Sequence, residues 1–196
     1  MYKKQLTVQK LICLAAVIVS VAVFVYSLGI MTDLYDALYS TMRNANDLTK
    51  TDVPGSIVYY NMQDFNNLFL CAGIGLIIAA LLLYLTNTHV RRRYYIGNYV
   101  AIGIYSIVSL GIIGWAHGQI EIYKAQFLQV DFAALKEHAE MWNTTYTEST
   151  FWFDIHYFLF ALLFLVVVAL IGNAVWKKRL MQEEQALLNR GKETAI

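Results

Sequence analysis

Residues 81–97 read LLLYLTNTHVRRRYYIG, two apolar runs joined by a connector that carries Arg91, Arg92 and Arg93. An apolar run that breaks on three arginines and resumes within a few residues describes a chain that leaves a membrane and turns straight back into it. Short loops rich in Lys and Arg stay on the cytoplasmic side. The triple arginine therefore sets the orientation of both neighbouring runs. It also offers cations to anionic lipid headgroups. A connector this short makes the two runs antiparallel neighbours.

The same pattern extends to both ends of the chain. Four apolar stretches cover residues 8–30, 66–86, 96–118 and 152–176. Each is roughly 20 residues long, enough to cross a hydrocarbon core of about 30 Å as a helix. The N-terminus supplies Lys3, Lys4 and Lys10, and the tail supplies Lys177, Lys178, Arg179, Arg190 and Lys192. The two longer connectors, 31–65 and 119–151, contain only Arg43, Lys50, Lys124 and Lys136 among their basic residues, with most of the acidic ones. The predicted arrangement has both termini and the 177–196 tail in the cytoplasm, and the two acidic loops outside. Continuous apolarity without alternation argues for helices and against a barrel. The predicted fold is all-α: an integral membrane four-helix bundle forming a single four-span domain over 1–196. The compact loops point to the plasma membrane. The first apolar run is too long for a signal-peptide core and no A-x-A site follows it, so it reads as a retained span.

Several finer elements follow from periodicity. Met31, Leu34, Leu38 and Met42 keep a helical period past Gly29, which predicts two or three further turns. Asp131 caps a short amphipathic helix in the second outer loop, running to about Trp142. Its Phe132, Leu135 and Ala139 face one side and Lys136, Glu137 and Glu140 the other, as suits a helix lying on a membrane surface. Asn143-x-Thr145 matches a glycosylation sequon, relevant only in a eukaryotic secretory route. Leu180 to Asn189 extends the last span into the cytoplasm as a helix that ends at Gly191. In the third span Gly103, Gly111, Gly114 and Gly118 form a small-residue face for close helix packing, expected within the chain more than against a second copy.

The composition excludes several function classes. The chain is 58% hydrophobic and 15% charged, against roughly 25% charged in soluble domains. A net charge of +1 gives no nucleic-acid surface. No Walker, Rossmann or G-x-S-x-G pattern occurs. Cys13 and Cys71 lie near opposite ends of their spans, too far apart in depth for a disulfide. The 14 tyrosines are explained as an interfacial aromatic belt.

Ionisable side chains within a membrane mark function by default, and here they avoid the span centres, which argues against a charged transport path. One cluster stands out at the outer ends of spans three and four. His117 and Glu121 are four apart, hence on one helical face, and Asp154 and His156 open the fourth span. Imidazole and carboxylate together suit a divalent metal. His117 and His156 on facing helices also suit axial haem ligation. Against these stands the plainer reading of wet interfacial histidines and an aspartate favoured by the helix dipole, in which the protein has no cofactor. His138 and Glu137 on the outer helix read as solvated.

The expected function is therefore that of a non-catalytic accessory, scaffold or assembly subunit of a larger membrane complex. Its partners are the lipid bilayer and other membrane subunits, with a homodimer as the alternative. A haem- or metal-binding electron-transfer subunit using His117 and His156 is the second expectation. A small transporter or channel for an uncharged or lipidic solute is the third.

Overall fold

The computed structural model describes residues 2–39, 55–88, 96–142 and 146–193. Its regular elements are five helices: α1 Tyr2–Tyr39, α2 Ser56–Asn87, α3 Ile96–Phe127, α4 Phe132–Trp142 and α5 Phe151–Glu193. Four of them contain segments long and apolar enough to cross a membrane: Lys3–Ile30, Asn61–Asn87, Ile96–Phe127 and Phe151–Leu187. Arg91–Arg93, the Asn143–Thr145 sequon and the predicted loop 44–54 lie outside the described residues.

The helices overrun the apolar stretches that reveal them. Hydropathy reports the part of a helix that lipid would cover, whereas the helix itself continues while its backbone stays bonded and a face stays packed. α1 runs to Tyr39, in line with the periodicity past Gly29. α2 starts at Ser56, well before the apolar stretch at 66. It is preceded by Gly55, whose φ of 86° suits a residue without a Cβ. The Gly55 carbonyl accepts the Val58 amide at 3.1 Å. α3 continues nine residues past 118 to Phe127, with Ile120 and Phe127 buried. α5 passes through Gly191 to Glu193 instead of stopping at the glycine. Asp131 does sit at the start of α4: its carboxylate accepts the Ala134 amide at 3.0 Å, and its carbonyl accepts the Leu135 amide. On α4, Leu135 and Ala139 are buried while Lys136, Glu137 and Glu140 are exposed.

Each of the four long helices contributes to two compact units. The terminal unit comprises Met1–Ser20, Leu76–Leu110 and Leu162–Ile196. Its core is Cys13, Ala16, Leu76, Leu83, Tyr105, Leu163 and Leu170, all buried. A run of buried amides joins all four helices within it. Gln5 Nε2 donates to Gln9 Oε1 at 2.9 Å and to Asn173 Oδ1 at 3.2 Å. Gln9 Nε2 donates to the Asn87 carbonyl at 2.7 Å, and Asn87 Nδ2 donates to the Asn98 carbonyl at 3.2 Å. Deeper in the same unit, the Tyr105 hydroxyl meets Ser20 Oγ at 3.1 Å.

The loop unit comprises Val21–Gly75 and Gly111–Ala161. Aromatic rings dominate its interior: Phe65 stacks on Phe69 at 5.5 Å, and Phe69 meets Phe160 edge-on. The Tyr26 hydroxyl donates to the Trp152 carbonyl at 2.7 Å, tying α1 to α5. Both cysteines are free; Cys13 is buried in the terminal unit and Cys71 exposed in the loop unit.

The glycines depart from one expectation. Among the described residues, a Cβ added at Gly103, Gly111, Gly114 or Gly118 would meet nothing within 4 Å, so these four make no close helix contact there. α3 turns Ala101, Tyr105, Ile112, Ala116 and Ile120 inward, and at 100° per residue the glycines fall on the opposite face. The close approaches occur elsewhere, at Gly29 against Trp152 and at Gly73 against Phe24.

The second contact gives a direct check on the α1–α2 pairing. A Cβ at Gly73 would lie 3.5 Å from the Phe24 Cβ, within the range disulfides use. In a background with Cys13→Ala and Cys71→Ala, the pair Phe24→Cys and Gly73→Cys is expected to form an intramolecular cross-link under mild oxidation, read as a mobility shift on non-reducing gels. A chain that stays reduced, or cross-links only between molecules, would contradict the pairing.

Candidate functional site

α3 carries His117, Glu121 and Lys124 in successive turns of one helix flank, and α5 opens opposite them. The two segments run antiparallel, so Lys124, furthest along α3, meets the residue nearest the start of α5. Lys124 meets Asp154, Glu121 meets Tyr157, and His117 meets His156. All lie in the loop unit.

His156 is fully buried. Its Nδ1 contacts the Phe153 carbonyl one turn back. A carbonyl oxygen only accepts, so Nδ1 carries the proton, and in the neutral ring Nε2 keeps a free lone pair. His117 Nδ1 stands 2.9 Å from that Nε2. Since His156 Nε2 accepts, His117 Nδ1 donates. Glu121 Oε1 is 3.8 Å from the same nitrogen. The Tyr157 hydroxyl donates to Glu121 Oε1 at 2.7 Å, which aims the carboxylate. His156 also lies against the Tyr157 ring at 4.1 Å and the Phe160 ring at 5.3 Å. The buried Phe160 and the exposed Tyr157 thus both pack against the imidazole. His117 is exposed and Glu121 half-buried, so the site opens outward on one side only.

Of the four side chains picked out by sequence, the structure brings three together. One donor atom from each of His117, Glu121 and His156 lies within 4.8 Å of the others. Asp154 is not among them. Lys124 Nζ holds its Oδ1 at 2.5 Å, and the Thr150 hydroxyl donates to its Oδ2 at 2.7 Å. The reason is helical geometry: positions two apart point about 200° apart around the axis. His138, half-buried on α4, and exposed Glu137 are likewise not in the converging group.

Two participants have other roles in the sequence pattern: Tyr157 belongs to the aromatic belt, and Lys124 is a loop charge. The signal for both was available: Glu121 and Lys124 are three apart on α3, Asp154 and Tyr157 three apart on α5, and the antiparallel register matches them pair by pair.

The arrangement is suited to holding a proton or a small cation between imidazoles. The 2.9 Å nitrogen separation leaves no gap for a macrocycle plane, so axial haem ligation would need the rings to part. No family model, curated protein or solved structure matches the chain.

The burial difference within the site sets an order of stability effects. Lys124 and Asp154 are partly exposed, and such pairs contribute about 0–1 kcal/mol. His156→Ala removes a fully enclosed ring with its hydrogen bonds, at a cost of about 2 kcal/mol or more. Unfolding in mixed detergent is expected to show Lys124→Met close to wild type and His156→Ala clearly destabilised. The reverse order would contradict the packing described.

Proposed function

We propose that this chain is a small multi-pass protein of the plasma membrane, with both termini in the cytoplasm, serving as a non-catalytic accessory, scaffold or assembly subunit of a larger membrane complex. The observation that carries this reading is the length of α5. Its 43 residues make a helix of about 65 Å at 1.5 Å per residue, against about 30 Å of hydrocarbon. Roughly half of α5 therefore lies beyond any bilayer it crosses. That extension carries Leu187, 68% exposed, two turns beyond the half-buried Leu180, the two forming an apolar stripe. An apolar stripe on a helix in water suits a groove or another helix.

Two further features support the same reading. Large apolar side chains face outward along each long helix, among them Leu11, Ile78, Ile107 and Leu165, as a lipid-solvated surface requires. The glycine face of α3 is open, and small residues let a second transmembrane helix approach closely. That helix belongs to a partner subunit or to a second copy of this chain. The basic residues near both termini support the cytoplasmic placement.

The test is purification of the tagged full chain from its native membrane in mild detergent, alongside a Leu187→Glu form. A stoichiometric partner with the wild type, lost or reduced several-fold with the variant, is the expected result. Recovery of the chain alone from both would contradict the accessory role. A second reading, a metal-binding subunit, draws on the convergence of His117, Glu121 and His156.

A further inference from the structure

We infer that His117, Glu121 and His156 form a binding site for one divalent transition ion of the zinc class, with a water in the fourth position. The inference rests on the second reading above and is independent of the accessory role.

Three features of the geometry carry it. The first is the donor set. Two imidazoles and one carboxylate are a ligand combination that zinc takes when one coordination position is left open to water. The three donor atoms lie within 4.8 Å of one another. Zinc ligands stand about 2.0–2.2 Å from the ion, so donors at tetrahedral angles around one ion are about 3.3–3.6 Å apart. Closing the widest spread of the present set to that distance needs a movement of about 1 Å. The 2.9 Å contact between the imidazole nitrogens opens by about half an ångström. His117 is exposed and Glu121 half-buried, and these two side chains supply the movements.

The second feature is the support behind each ligand. A ligating histidine almost always donates its other ring N–H to a carbonyl or carboxylate, which fixes the tautomer. His156 already does this, with Nδ1 on the Phe153 carbonyl and Nε2 aimed at His117 and Glu121. Tyr157 holds Glu121 through its hydroxyl, the kind of bond that orients a ligating carboxylate. The buried histidine is thus set in a ligating tautomer by its own helix.

The third feature is charge separation. Lys124 follows Glu121 by three residues on α3, and Asp154 occupies its ammonium at 2.5 Å. The ammonium is thereby held on a carboxylate that is not a ligand, and Glu121 remains available to the ion. Binding requires one tautomer change. His117 gives up its Nδ1 proton and carries one on Nε2 instead, which solvent reaches because the side chain is exposed. No net proton is released if His117 is neutral beforehand.

The test uses the full chain in detergent micelles, freed of any affinity tag and stripped with a chelator. Cobalt(II) is titrated in and followed by its visible absorption, then displaced by zinc. The expected result is one equivalent of saturable binding, with an absorption band typical of four-coordinate cobalt. His117→Gln and Glu121→Gln are chosen because both side chains are accessible and the changes preserve size. Each is expected to weaken binding at least 100-fold, and Tyr157→Phe about 10-fold, in keeping with the loss typical when a supporting partner is removed. His138→Gln should bind as the wild type does. The inference is overturned if the wild type shows no saturable binding. It is equally overturned if the His117 and Glu121 variants keep wild-type affinity, or if His138→Gln loses binding in their place. None of these results bears on the α5 partner experiment, so the two readings fail separately.

Discussion

Lipid offers no hydrogen bonds, and four helices long and apolar enough to cross a membrane are suited to that constraint. Backbone groups respond by closing into helices. Side-chain groups have a narrower choice, because an unpartnered amide or hydroxyl in an apolar setting costs more than its bond contributes in water. Four apolar helices also lack a hydrophobic reason to prefer each other over lipid. Their few polar side chains therefore select which helices meet. In the terminal unit that selection is made by Gln5, Gln9, Asn87, Asn98 and Asn173, all buried, which link α1, α2, α3 and α5 through amide contacts. In the loop unit it is made by hydroxyl and imidazole contacts: Tyr26 to Trp152, Tyr123 to Asn61 and His117 to His156.

The candidate site is a local instance of the same rule. His156 is fully enclosed, so both its nitrogens need partners, and the Phe153 carbonyl and His117 supply them. Holding a buried imidazole in one tautomer and holding a metal ligand in one tautomer are the same structural task. A contact that pairs α3 with α5 thereby also leaves a lone pair aimed at two other donors.

The number and identity of the long helices were legible in the sequence, because a run of about 20 apolar residues has few other uses. Their extents were not, since Ser56 to Phe65 and Gln119 to Phe127 are mixed in polarity and hydropathy stops where helix continues. The amide run in the terminal unit was passed over for a related reason. Gln and Asn carry no charge, so at span ends they look like ordinary boundary residues until pairing is known. The His117–Glu121 spacing was readable as one helical face, and His156 was matched to it by depth. Asp154 was grouped with them by depth alone, and its direction around α5 sends it to Lys124 instead. The glycine spacing of α3 suggests an internal packing face, yet it reports only that one side is smooth. Which side faces the interior depends on Tyr105, Ile112 and Ala116, whose bulk fills it.

The most direct test of polar selection is a double-mutant cycle on Gln5 and Asn173, whose side chains meet at 3.2 Å, with Gln5→Ala, Asn173→Ala and the pair measured for unfolding in mixed detergent. If their contact selects the α1–α5 pairing, the two changes will be coupled by about 0.6 kcal/mol, and up to about 1.7 kcal/mol, the range for side-chain hydrogen bonds between membrane helices. Additive effects, within about 0.3–0.5 kcal/mol, would mean that the amides meet without directing the fold, and that apolar packing alone chooses the partners.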